Sequence, residues 1–222
     1  MGTIIFQNRQ YAGQLLAAEV ARRGYTDPVV LGLPRGGVPV AAEVAAKLKA
    51  PLDIILVRKI GAPMQPELAI GAVVDGGAPE FVRNETLIRA LGLTDDEFRE
   101  EAERQLAIIE ARRKLWVEGR PRIPLKGKTA IIVDDGIATG ATVLASLHAL
   151  KRQGPKRTVV AVPVASSEAV EALTAEADDI ICLEAPWDFG AVGSFYADFS
   201  ETSDAEVSRL LDIARVAEGT RT

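Results

Sequence analysis

Asp134 and Asp135 close a short apolar run, residues 130–133, and are followed at once by Gly136-Ile137-Ala138-Thr139-Gly140-Ala141-Thr142. The run is rich in β-branched residues and too short for a helix, so it reads as a buried strand. From Thr142 onward Val143, Leu144, Leu147 and Leu150 recur at helical spacing. A helix start carries unpaired N–H groups and the positive end of the macrodipole, so this strand-loop-helix unit suits a phosphate. Gly140 and its small neighbours let the backbone approach the ligand, and the Thr139 and Thr142 hydroxyls add donors. The two carboxylates cannot serve the same phosphate. At about 4 Å the repulsion is roughly 4 kcal/mol at an effective dielectric of 20. Acceptor-only oxygens beside a phosphate cradle suit a sugar diol, a bound Mg²⁺, or both, and the ligand implied is a sugar phosphate.

A second mouth of the same kind follows the apolar run 28–33. Pro34-Arg35-Gly36-Gly37 leads into a helix over 38–48, with Val40, Val44 and Leu48 on one face. It is again ready for an anion and now carries an arginine. Neither loop matches the spacing of a dinucleotide fingerprint or a P-loop. Residues 52–57 read as a third strand ending on Arg58 and Lys59, where parallel α/β sheets bind ligands; a surface cation pair is the plainer alternative. Gly, Pro and Met within 61–66 suit a flexible lid.

The string AIIVDDGIATGAT resembles the PRPP-binding signature of the type I phosphoribosyltransferases, with TGAT where that family often has TGGT. The resemblance implies that Asp134 and Asp135 hold the ribose 2′ and 3′ hydroxyls and assist Mg²⁺ indirectly, PRPP supplying its direct ligands. It implies that Ala138, Thr139, Gly140, Ala141 and Thr142 wrap the 5′-phosphate. Arg35, Gly36 and Gly37 match the family's pyrophosphate loop, in which a non-proline cis peptide is expected. VRKIGAP resembles the start of the catalytic loop of adenine-type relatives, which gives Lys59 a catalytic role with Arg35 and gives Arg58 a pyrophosphate contact. The aromatic run near the carboxyl end resembles the hood of purine-using relatives, with Phe189 and Asp198 at the acceptor positions. The implied reaction moves ribose 5-phosphate from PRPP to a nitrogen acceptor such as a nucleobase, releasing pyrophosphate, as in nucleotide salvage; a homodimer is expected. Ala138 stands where some 6-oxopurine enzymes carry an acid, which argues against hypoxanthine or guanine. The alternative is a PRPP-binding regulator without turnover.

The elements that must position these residues follow from the remaining pattern. Thr3 to Phe6 reads as an extended start, before a helix with Tyr11, Leu15, Leu16 and Val20 as its stripe and Gly24 as its stop. Residues 69–74 and 79–82 read as a hairpin around Asp75-Gly76-Gly77. Residues 84–120 form a helical insertion opened by a Thr94/Glu97 capping box, with Phe98, Ala102, Leu106, Ile109 and Trp116 as its stripe. It could be a lid or a dimer contact. An extended linker, 120–124, returns to the core. Strands at 158–164 and 179–183 flank a helix at 167–177, completing an α/β parallel sheet with helices on both faces. A small hood occupies 184–222, including a helix capped by Ser203 and Glu206.

At 222 residues the chain is long enough for one phosphoribosyltransferase-like domain with a full core. Its net charge of −5 argues against nucleic acid as a partner, so phosphate affinity has to be local. One cysteine, Cys182, excludes an internal disulfide. The sequence offers no run long enough for a membrane span, and a cytoplasmic location is expected. Cys182 and the only histidine, His148, read as structural.

Overall fold

Alternate residues of the central strands bury into two different cores, and that alternation fixes the layers. The computed structural model describes residues 5–76, 78–119 and 122–219. Helix α1 (Arg9–Arg22) is followed by β1 (Pro28–Gly32), α2 (Gly37–Leu48) and β2 (Leu52–Ile54). Then come β3 (Leu56–Ala62), β4 (Gln65–Gly76), β5 (Ala78–Arg83), α3 (Glu85–Ala90) and α4 (Asp95–Val117). The chain continues through β6 (Thr129–Val133), α5 (Ala141–Lys151), β7 (Arg157–Val164), α6 (Ser167–Thr174), β8 (Asp179–Glu184) and α7 (Asp204–Gly219).

The main sheet runs β2-β1-β6-β7-β8, every pair parallel. Val30, Ile131, Val133 and Val159 face the core shared with α1, α2 and α7; Val29, Leu31, Ala130 and Ile132 face the core shared with α5 and α6. This is the α/β sheet, covered on both faces, that the strand-helix alternation predicts. Among the described residues no helix is long and apolar enough to cross a membrane.

The second sheet, β3-β4-β5, is antiparallel, and it corrects the reading of residues 52–66. The strand expected over 52–57 ends at Ile54, where the Asp53 carboxylate accepts the Ile54 N–H at 2.8 Å. Arg58 and Lys59 do not sit at the end of a parallel strand. They lie inside β3, opposite Val73 and Ala72 of β4, and the stretch expected as a lid is the turn that joins β3 to β4. The reason is packing: Leu56, Ile60, Ile70 and Val73 bury against α4, and Ala72 and Val74 join the α5 side. On this edge strand Lys59 keeps its charge in water, whereas Arg58 is half-buried.

The insertion keeps its predicted cap. Thr94 and Glu97 bond reciprocally, and Phe98, Ala102, Ile109 and Trp116 are buried with Leu106 packed beside them. Its far end is fastened by the buried Asp75 carboxylate, which pairs with Arg113 at 2.8 Å and with Arg122. In α1 the stripe shifts: Ala12, Gly13, Leu16, Ala17 and Val20 are buried, whereas Tyr11 and Leu15 are exposed. Small residues face α2 there because the two helices pack closely; a Cβ on Gly13 would lie 3.0 Å from Glu43. Helix α6 stops at Thr174, short of the expected 177. At α7 the Glu206 N–H donates to Ser203 Oγ at 3.1 Å. Thr3 and Ile4 of the extended start, Gly77 of the hairpin turn, Arg120 and Pro121 of the linker, and residues 220–222 of the hood lie outside the described residues.

Candidate active site

β1 and β6 are neighbours, yet α2 carries the chain from β1 to β2 on one side while α5 carries it from β6 to β7 on the other. The loops part at the carboxyl ends of the strands and leave the crevice in which open parallel sheets hold ligands. Both motifs singled out in the sequence are these two loops.

They touch directly. A Cβ on Gly37 would stand 2.7 Å from the Val133 carbonyl oxygen and 2.9 Å from Asp134 Cα. One on Gly36 would stand 2.7 Å from Asp135 Cγ. Only glycine lets the second loop lie against the acidic pair. The Pro34–Arg35 peptide is cis, as expected. The Arg35 guanidinium turns toward the carboxyl end of the chain, pairing with Glu201 and lying 3.7 Å from Asp204.

Asp134 Oδ1 accepts the Asp135 N–H at 2.9 Å. Burial first, and then the charge of Asp135, push the Asp134 carboxyl well above the ordinary carboxylate range. Asp135 is held differently: its Oδ2 accepts from Arg9 Nε at 2.7 Å, and its carbonyl oxygen accepts the Tyr196 hydroxyl at 2.5 Å. Arg9 also lies 3.8 Å over the Phe199 ring and donates to the Ser200 carbonyl at 2.6 Å. Neither Arg9 nor Tyr196 was found by motif reasoning. Tyr196 lay within the aromatic run, but nothing in the sequence spacing points from Arg9 to Asp135.

The loop beyond is anchored from behind and open in front. Ile137 N–H donates to the Val164 carbonyl at 2.9 Å, and Ser166 Oγ donates to the Ala138 carbonyl at 2.7 Å. Gly140 takes φ +75° as the residue preceding α5, a conformation suited to glycine. Ala138, Thr139, Ala141 and Thr142 remain exposed. Lys59 lines a cavity of about 540 Å³ together with Ala141, Thr142 and His148. Arg58 faces α4 instead, donating from Nε to the Gln105 side-chain oxygen at 2.6 Å.

In the hood, Phe189 packs on Phe195 with ring centroids 5.3 Å apart. Asp198 is exposed, and the Ser200 N–H that it accepts at 2.9 Å lowers its pKa. The hood is tied to the amino end by the Phe6 N–H to the Phe195 carbonyl and the Ala197 N–H to the Phe6 carbonyl. Cys182 lies in β8, its thiol pushed up to about 11 by burial, which suits packing better than nucleophilic work. His148 sits 3.3 Å from Glu176.

Among the described residues no group of three or more His, Cys, Asp or Glu side chains could hold a metal. Mg²⁺ usually takes one or two carboxylates and completes its shell with water and substrate phosphates. The adjacent Asp134 and Asp135 fit that manner of binding.

The phosphoribosyl transferase domain family matches residues 4–199 of the chain. Two Mycobacterium tuberculosis proteins, from strains CDC 1551 and H37Rv and each provisionally named a phosphoribosyl transferase, are 44% identical over 210 residues. Those matches cover 95% of this chain and 47% of each relative, so the chain spans about half the length of the curated relatives it matches. The crystal structure of TT1426 from Thermus thermophilus superposes with a TM-score of 0.82 at 47% identity, covering 93% of this chain and 97% of that one.

Proposed function

Because the chain belongs to the phosphoribosyl transferase domain family, we propose that it moves the ribose 5-phosphate group of PRPP onto a ring nitrogen of a nucleobase-like acceptor and releases pyrophosphate. The observation that carries this reading is the contact of the Arg35-Gly36-Gly37 loop with Asp134 and Asp135. A diol site, a phosphate-ready helix start and a second glycine loop then share one crevice.

In this reading the backbone of Ala138, Thr139, Gly140, Ala141 and Thr142 and the two hydroxyls hold the 5′-phosphate. Asp134 and Asp135 accept hydrogen bonds from the 2′ and 3′ hydroxyls, and they would assist, indirectly, a Mg²⁺ whose direct ligands the substrate supplies. The ion, when bound, supplies charge neutralisation on the diphosphate. As the C1–O bond to the diphosphate breaks and the C1–N bond forms, negative charge builds on the leaving group. In this reading the Gly36 amide and the guanidinium groups of Arg35 and Arg58 offset it, while the Gly37 N–H donates to the Leu33 carbonyl at 2.9 Å. Lys59 adds a cation on the side of the 5′-phosphate loop. The attacking nitrogen gives up its proton to the departing diphosphate or to water as the new bond forms, so no side chain has to act as the base. Phe189 and Asp198 are the proposed acceptor contacts.

The test is a panel of nucleobases supplied with PRPP and Mg²⁺, following pyrophosphate. Acceptor-dependent release is expected for at least one. PRPP uptake with release for none would make the protein a PRPP-binding regulator instead.

A further inference from the structure

We propose that the insertion helix α4 belongs to the substrate site, with Arg112 and Arg58 together gripping one phosphoryl group of the diphosphate; this rests on the PRPP reading above. A small cavity of about 60 Å³ lies at the carboxyl edge of the main sheet. Its polar wall is Arg58 of β3, Thr142 at the start of α5, and Arg112 and Trp116 of α4; Pro34 of the glycine loop and aliphatic side chains from β3 and its neighbours complete it. Its size is about that of two waters in the liquid, which suits one tetrahedral oxyanion and not a whole sugar or base.

The charge arrangement calls for an anion. Among the described residues Arg58 is bound through a neutral acceptor, Gln105. Arg112 lies with its guanidinium carbon 5.9 Å from the Trp116 ring centroid. Among the described residues no carboxylate pairs with either guanidinium, although the three other arginines of α4, Arg99, Arg104 and Arg113, all have such partners. Burial, and then the neighbouring charge of Arg112, lower the Arg58 pKa. Two like charges beside one cavity are relieved by a shared phosphoryl group, which guanidinium forks match well.

The connection to the leaving-group loop is direct. Trp116 Nε1 donates to Asp204 Oδ1 at 3.2 Å, and the same oxygen lies 3.7 Å from Arg35. The insertion, α7 and the cis-peptide loop thus meet at Asp204, on the side of the crevice assigned to pyrophosphate. A solvated helix face or a dimer contact would need no such convergence.

Trp116 is buried and lines the cavity, whereas Trp187, the other tryptophan, is 98% exposed. A Trp187→Phe protein therefore reports on the cavity through Trp116 emission. Titration with inorganic pyrophosphate is expected to give a saturable change. Adding Arg112→Gln should weaken that binding about ten- to a hundredfold, the effect of one hydrogen bond to a charged group. Arg112→Lys should recover part of it, and ribose 5-phosphate, which lacks the diphosphate, should bind both proteins alike. No response to pyrophosphate in the parent, or equal binding by parent and Arg112→Gln, overturns the inference while leaving PRPP transfer open to its own assay. Arg112-dependent pyrophosphate binding without transfer to any nucleobase supports the site and sinks the transfer reading alone.

Discussion

Arg9 Nε and Asp135 Oδ2 stand 2.7 Å apart, joining the first helix to the acidic pair across 126 positions of sequence. Both side chains are largely buried, 12% and 14% exposed. The pair offsets the repulsion between Asp135 and Asp134 and fixes the carboxylate that is to meet the sugar.

Arg9→Met should therefore cost about 2 kcal/mol of stability, below the roughly 3–5 kcal/mol for breaking a fully buried pair because some solvent reaches it. It should also weaken PRPP binding about tenfold or more, with Arg9→Lys intermediate. Thermal unfolding and calorimetric titration measure the two effects. Lost stability with unchanged PRPP affinity would make Arg9 a packing residue only.

The two loops fit only without side chains at their contact. Gly37→Ala puts a Cβ against the backbone of Val133 and Asp134, atoms that cannot turn aside. We expect a loss of about 1–3 kcal/mol or more in stability and a marked loss of PRPP affinity. Gly190→Ala is the matched control. A Cβ there meets nothing within 4 Å, so its stability should stay within about 0.5 kcal/mol of the parent. Similar behaviour of the two variants in denaturant melts would contradict the contact.

The thiol of Cys182 gives a pH prediction. Burial raises it from 9.0 to about 11. At pH 8 the native thiolate fraction should be about a hundredfold below that of an ordinary exposed cysteine, so thiol reagents should label it slowly until the chain unfolds. The folded value lies above the unfolded one, and the unfolded chain releases this proton first. The stabilising contribution is therefore complete below about pH 9 and declines as pH rises toward about 11. Fast labelling of native protein at pH 8 would overturn the assignment.

What the sequence disclosed, and what it hid, divides along local and non-local physics. The Thr94 cap, the strand before Asp134 and the helix after Gly140 depend on neighbours a few residues away, and each was legible. Residues 52–62 were not. One apolar run supplies β2 to the parallel sheet and β3 to the antiparallel one, and its break at Ile55 is decided by α4 packing from far along the chain. Tyr11 and Leu15 misled because the α1 stripe is made of small residues that let α2 approach. The acidic pair was readable from type and spacing, but Arg9 and Tyr196, which hold it, approach only in the folded chain.

The central claim is that Asp134 and Asp135 recognise the pentose diol of PRPP. Calorimetric titration of PRPP with Mg²⁺ into the parent and into a protein carrying Asp134→Asn and Asp135→Asn tests it most directly. The account predicts saturable binding by the parent, weakened by about tenfold or more in the variant, the scale of losing hydrogen bonds to a charged acceptor. Equal affinity in the two proteins, or no uptake by the parent, would contradict it.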